Sequence, residues 1–147
     1  MPKKFVNIKN ARSGEYEAVI KEIATTGKCP FCPENFKYHK KPIYKKRNGW
    51  FLTNNSWPYK NAKSHLIILG DKHKENFLEL TDKDLASVRF LTNWAIKNWK
   101  IKGGALSMRF GDTDYTGASV SHIHFHIISP EIDKKTKRAK VVNFPIG

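Results

Sequence analysis

Ser121-His122-Ile123-His124-Phe125-His126-Ile127-Ile128 sets three histidines at strict alternation with isoleucine and phenylalanine. Such a mixture of β-branched and aromatic residues reads as a strand. Successive side chains of a strand point to opposite faces. His122, His124 and His126 therefore share one face, and Ile123, Phe125 and Ile127 share the other. The apolar face suits a core. The imidazole face must meet a metal, a ligand or water. A merely solvated face is the bland alternative, and the scarcity of histidine elsewhere, three in the rest of the chain, weighs against it. Two chemistries suit the row. Three imidazoles can bind a catalytic zinc, or one can attack phosphorus while its neighbours donate hydrogen bonds.

The residues leading into the row favour phosphate. Arg109-Phe110-Gly111-Asp112-Thr113-Asp114-Tyr115-Thr116-Gly117-Ala118-Ser119-Val120 brings two glycines and a serine beside the histidines. A turn of that composition offers backbone N–H groups and a hydroxyl, which an anion site requires.

Working outward, residues 14–24 repeat at helical spacing, with Ser13 as a candidate N-cap and Gly27 just past the end. Residues 42–47 and 49–55 read as strands around Asn48-Gly49, a hairpin signal, and residues 65–69 as a third strand. The longest helix is expected from about Asp82 to Lys100, with Thr81 and Asp84 at capping-box spacing. Its core stripe is Leu85, Val88, Leu91, Ala95 and Trp99. Ala105–Phe110 and His122–Ile128 complete the strands. Asp133–Arg138 reads as a charged, mobile tail, and Val141–Phe144 as a late strand. The expected class is α+β, a mostly antiparallel sheet of five or six strands with a long helix on one face. The 147 residues read as one domain, with 1–28 a helical extension and 131–147 a basic tail.

Cys29-Pro30-Phe31-Cys32 has the gap that lets two thiolates reach one metal, and a redox dithiol has the same spacing. No thioredoxin-like βαβ pattern surrounds it. A structural zinc needs two further ligands, and His39, His65, His73 and His122 are the candidates.

The triad preceded by Gly117-Ala118-Ser119-Val120 resembles the signature of the histidine-triad (HIT) family of nucleotide hydrolases and transferases. The resemblance spans roughly residues 29–130. It includes the Cys-Pro-Phe-Cys turn, Leu52-Thr-Asn-Asn-Ser-Trp-Pro-Tyr59 and His65-Leu-Ile-Ile-Leu-Gly-Asp-Lys-His73. It implies a structural zinc on Cys29, Cys32, His73 and His122, with His39 as rival for one place. It implies His124 as nucleophile on the α-phosphorus of a nucleotide and His126 as donor to a phosphoryl oxygen. Ser119 falls where the family contacts the phosphate or leaving group, and Asn55 where it holds the ribose. The implied substrates are dinucleoside polyphosphates or nucleoside phosphoramidates. Many relatives carry Asn-x-Gly where this chain has Arg109-Phe110-Gly111. Arg109 is then either a clamp on phosphate or a partner of Asp112 or Asp114. Trp57 and Tyr59 are candidates to line a base pocket. A catalytic zinc on all three histidines would leave the cysteine pair unexplained. A zinc-stabilised module that binds nucleotide or RNA without chemistry is the alternative from another class.

The net charge of +14 suits phosphate-bearing ligands. The cations are mostly lysine and scattered, so specific nucleic-acid recognition is not expected, although attraction at low salt is. No apolar run is long enough to span a membrane, and Met1-Pro2-Lys3-Lys4-Phe5 lacks the apolar core of a secretion signal. The expected compartment is the cytoplasm. Phe90, Trp94, Ile96 and Trp99 give the long helix more apolar surface than one sheet face uses. Many family relatives are two-fold dimers, and a homodimer is expected here, unless the N-terminal helix covers the excess.

Overall fold

Asn48 and Gly49 both adopt positive φ, 46° and 79°, as a two-residue hairpin turn of matching twist requires. They join β1 (Ile43–Arg47) to β2 (Trp50–Asn54). The computed structural model describes residues 3–147, so Met1 and Pro2 of the N-terminal stretch read as lacking a leader lie outside the described residues. β3 (Ala62–Gly70), β4 (Ala105–Met108) and β5 (His124–Pro130) complete one sheet. The strand order is β1-β2-β3-β5-β4, and every neighbouring pair is antiparallel. This is the expected α+β class.

The sheet is apolar on both faces because it lies between two layers. On one face Trp50, Leu52, Leu66, Ile68, Ile123, Phe125 and Ile127 form a core with Val88, Leu91 and Ala95 of α2 (Asp82–Asn98). The alternation read from the triad run therefore holds. On the other face Phe51, Ile67 and Leu69 pack under Phe31 and Phe36 from the cysteine turn. Beside them α1 (Glu15–Thr26) sets Ile20 and Ile23 against Val6 and Val120. α1 thus lies across the sheet from α2, and of the residues expected in excess on α2 Phe90, Trp94 and Trp99 pack against the core on its own side, while Ile96 stays exposed.

Thr81 and Asp84 close the expected capping box at the start of α2. Asp84 also accepts from Lys74 Nζ at 2.6 Å and from Trp50 Nε1 at 3.0 Å. Burial works to raise its carboxyl, but the donors of Lys74, Thr81 and Trp50 outweigh this and hold it well below the usual carboxylate range. Its folded-state affinity for protons is depressed, so the stability it supplies is present above about pH 4 and is lost as the pH falls further. Asp84→Ala is expected to cost about 2–3 kcal/mol at pH 7. Urea unfolding at descending pH should show the gap to the unmodified chain narrowing below about pH 4.

Several expectations are corrected. Ser13 does not cap α1; Gly14 holds that position at φ 84°, which a glycine adopts without strain, and makes no side-chain cap. β3 begins at Ala62 rather than His65, because its pairing with β5 extends to Pro130. β4 stops at Met108 and β5 starts at His124. The stretch 133–138 is a bonded turn in which Asp133 Oδ1 accepts from Lys135 N and Thr136 N, closed by an Ile132–Ala139 bridge. Val141–Phe144 forms no strand; Asn61 Nδ2 donates to Val141 O. Among the described residues no helix is long and apolar enough to cross a membrane.

Candidate active site and metal centre

The sheet register fixes where the histidines stand. His124 pairs with Leu69 and His126 with Ile67 across β5 and β3, which places both imidazoles on the face away from α2. His122 lies just before β5 and is buried. The histidines separate into two sets with different surroundings.

His122 turns toward the cysteine turn. Its Nδ1 is 3.3 Å from Cys29 Sγ and 3.8 Å from Cys32 Sγ, and His73 Nδ1 is 3.6 Å from Cys32 Sγ. One ligand atom from each of Cys29, Cys32, His73 and His122 lies within 4.8 Å of all the others. A tetrahedral ion with metal–sulfur and metal–nitrogen bonds of about 2.3 and 2.0 Å separates its ligands by about 3.5 Å, so the set fits such an ion. The far side of each ring supports the same role. His122 Nε2 donates to Gly70 O at 2.9 Å, and His73 Nε2 donates to Glu75 Oε1 at 2.8 Å. Each Nδ1 then presents its lone pair inward, as metal-binding histidines do. Burial pushes the Cys29 thiol up to about 12, so a cation is what would hold it as thiolate. His39 stands elsewhere: its Nε2 is 2.7 Å from Thr53 Oγ1 and its ring stacks on Phe36. The group can hold a metal ion, and His39 is not part of it.

The second set is a row of three rings, His65, His126 and His124. Their centroids lie 5.1 and 4.7 Å apart. The hydrogen bonds assign their protons in sequence. Tyr59 N–H donates to His65 Nδ1 at 3.1 Å, which leaves the proton of a neutral His65 on Nε2. His65 Nε2 is 2.8 Å from His126 Nδ1 and donates to it. The proton of His126 is then on Nε2, which is buried and meets no acceptor among the described residues. His124 is set the other way. Its Nδ1 donates to His122 O at 2.8 Å, so its Nε2 carries a free lone pair. Burial keeps all three rings neutral, lowering His124 to about 4, His65 to about 3 and His126 well below its ordinary value. A nucleophilic nitrogen and an unused N–H donor therefore stand side by side.

They open on a cavity of about 110 Å³ lined by Asn55, Arg109, Ser119, His124 and His126, which brings all the expected substrate residues together. Asn55 accepts from Trp57 N through Oδ1, and its Nδ2 is 3.2 Å from His65 Nε2. Ser119 Oγ is hydrogen-bonded to the Tyr16 hydroxyl. Trp57 and Tyr59 both line the cavity, and the Tyr59 ring stacks 5.8 Å from His126. Arg109 pairs with neither Asp112 nor Asp114. Its Nε donates to Pro145 O at 2.9 Å, and its guanidinium carbon lies 3.9 Å from the Phe144 ring centre. Phe144 also packs edge-on against His126, with centroids 5.1 Å apart. Phe144 and Pro145 thus border the histidine row at His126 and Arg109.

Three contributors to the row and its cavity have no local signal in the sequence. The sequence offers His65 only as a metal ligand, and its place beside His126 depends on the pairing of β3 with β5. Arg12 and Tyr16 belong to the N-terminal extension, outside every motif, and reach the cavity because α1 packs across the loop before β5. Arg12 lies over the rings of Tyr16 and Tyr59 and donates to Trp57 O at 2.7 Å.

Solved structures with this arrangement of strands and helices are numerous. A HIT family hydrolase from Clostridium thermocellum is 22% identical at a TM-score of 0.58, over 70% of this chain and 90% of that one. The chain has the histidine-triad fold. A histidine triad nucleotide-binding protein from Candida albicans is similar over 82% of this chain and 85% of its own, at 16% identity and a TM-score of 0.59. The diadenosine triphosphate hydrolase of Plasmodium falciparum is similar over 62% of each chain, at 18% identity and a TM-score of 0.52. No family model matches the sequence, and no curated protein does. At these identities the likeness is one of fold, and the histidine-triad fold here carries a row of neutral imidazoles.

Proposed function

We propose that this chain is a nucleotide α-phosphate hydrolase or nucleotidyl transferase that works through a nucleotidyl-histidine intermediate. The observation that carries the proposal is the complementary protonation of neighbouring rings: a free Nε2 lone pair on His124 and an unpartnered Nε2–H on His126. His124 Nε2 attacks the α-phosphorus, an N–P bond forms, and the bond to the leaving oxygen breaks with its electron pair. His126 donates to a phosphoryl or leaving-group oxygen. His122 O accepts from His124 Nδ1 throughout and stabilises the ring as it becomes positive. Water or another acceptor then attacks phosphorus and releases His124. Ser119, Arg109 and Asn55 bind substrate, the first two at phosphate and Asn55 at the ribose. Dinucleoside polyphosphates and nucleoside phosphoramidates are the substrate classes, and the similar hydrolase that acts on diadenosine triphosphate supports the first. Since a cavity of about 110 Å³ is below the roughly 300 Å³ of small ligand clefts, Phe144 and Pro145 must move aside for a nucleotide.

Cys29, Cys32, His73 and His122 would hold a structural zinc. Its bound state ties the cysteine turn to the start of β5 and so steadies the backbone that positions His124. The cytoplasm fits this, because its reducing conditions keep both thiols available. Rapid quenching with substrate in excess should trap an acid-labile nucleotide adduct on His124, located by peptide mass spectrometry. An adduct on another residue, or turnover with none formed, would sink the covalent mechanism. The net charge of +14 is the observation that favours a binding module without chemistry, which predicts nucleotide affinity and no phosphate release from any substrate.

The chain is further proposed to form a homodimer. Leu85 and Ile96 share one flank of α2 and are 37% and 41% exposed, and Leu106 on the edge strand β4 is 48% exposed. β4 has neighbours on one side only and is open to a second copy. Light scattering at micromolar concentration should give twice the chain mass, and a monomer with full activity would refute the assembly.

A further inference from the structure

The charge of the chain is unevenly placed. Residues 35–70 contain eight lysines and arginines and no carboxylate side chain, and residues 85–111 contain five and none. The other 14 cations are nearly balanced by all 13 aspartates and glutamates, so almost the whole net charge of +14 arises in those two stretches. They meet where β1 and β2 pack against α2. A cleft of about 370 Å³ follows this junction, lined by Arg47 of β1 and by Arg89, Phe90, Asn93, Trp94 and Lys97 of α2.

These α2 residues recur at helical spacing, with Arg89 next to Leu85 and Ile96 and with Asn93, Lys97, Phe90 and Trp94 turning progressively away from them. The Arg47 guanidinium carbon lies 4.5 Å from the centre of the Phe90 ring, and Lys45 Nζ lies 5.8 Å from that of Trp94. Among the described residues none of Lys45, Arg47, Arg89 and Lys97 forms an ion pair. Cations alone suit any polyanion. Flat guanidinium and aromatic surfaces between them select one whose repeating unit is also flat. Phe90 and Trp94 are partly buried rather than protruding, which leaves no apolar anchor for a bilayer. From Arg89 to Lys97 the helix rises about 12 Å, enough for several phosphates of one strand.

We infer that this cleft binds single-stranded nucleic acid without regard to sequence, with Arg47, Arg89 and Lys97 on phosphates and bases stacked on the Arg47–Phe90 pair and on Trp94. The site lies across the sheet from the histidine row and works independently of it. The test is fluorescence anisotropy of the full chain with a labelled oligouridine of about 12 nucleotides, from roughly 50 to 200 mM salt. Three phosphate contacts predict a slope of log affinity against log salt near −2. Arg89→Glu with Lys97→Glu should weaken binding at least tenfold and flatten the slope. A second pair, Arg89→Gln with Lys97→Gln, covers the case in which the first fails to fold, and should act in the same direction. Lys134→Glu with Lys137→Glu changes net charge equally and should alter affinity less than twofold, and His124→Ala should leave it unchanged. Equal loss in the Lys134/Lys137 variant, absence of binding at low salt, or binding to phosphatidylserine vesicles but not to the oligonucleotide would each overturn the inference.

Discussion

Replacing His124 with alanine is expected to lower kcat by about 10⁴-fold or more while leaving the fold intact. The ring is half-buried at the edge of the cavity, and its one hydrogen bond is to a backbone carbonyl. Losing it removes the only nitrogen of the row whose lone pair is free, yet opens no large void in the core beneath α2. Thermal unfolding should therefore move by only a few degrees. His126→Ala should be less severe, about 10²–10³-fold, because it removes a hydrogen-bond donor and not the attacking atom. If the His124 variant keeps more than a tenth of the original rate with every substrate tested, the nucleophile has been misassigned.

Metal removal should act on stability first. Cys29, Cys32, His73 and His122 come from the cysteine turn, the loop after β3 and the entry to β5, so a bound ion would cross-link three pieces otherwise joined by the β3–β5 pairing and by the packing of Phe31 and Phe36 on the sheet. A strong chelator, or Cys32→Ser, is expected to lower the melting temperature by roughly 10–20 °C, as a loss of about 5 kcal/mol would in a chain of this size. Activity at low temperature should fall in step with the folded fraction. Full stability with activity lost on chelation and restored by zinc would instead identify a metal that takes part in the reaction. Metal analysis of the purified chain, expected at one zinc per chain, separates zinc from other divalent ions.

What could be read ahead of the structure was what local chemistry specifies. Asn48-Gly49 can hardly be anything but a tight turn, Thr81 and Asp84 mark a helix start, and strict alternation sets His124 and Phe125 on opposite faces. The spacing of Cys29 and Cys32 already suits a metal, but the choice of His73 needs the family resemblance, because nothing in the spacing excludes His39. The misreadings concern contacts between distant parts of the chain. Gly14 displaces Ser13 as the N-cap of α1 through a backbone twist that no neighbour announces. Arg109 finds a carbonyl 36 residues away instead of the nearby aspartates. Residues 141–144 have strand composition, but β4 and β1 hold the sheet edges and Phe144 packs instead on Tyr59, His126 and Arg109. His65 joins the row only through sheet register.

On the proposed mechanism, the packing of Phe144 on His126 and the hold of Pro145 O on Arg109 make this arrangement a latent form. A ligand engages only those molecules whose C-terminal segment has swung away, so its apparent affinity is the intrinsic one diminished by that open fraction. Were one molecule in a hundred open, binding would look about a hundredfold weaker while the bond-making step ran at its full rate once the site was filled. Selectivity then has two origins. One is the fit of a nucleotide to the histidine row, and the other is how readily its phosphates take Arg109 from the carbonyl of Pro145.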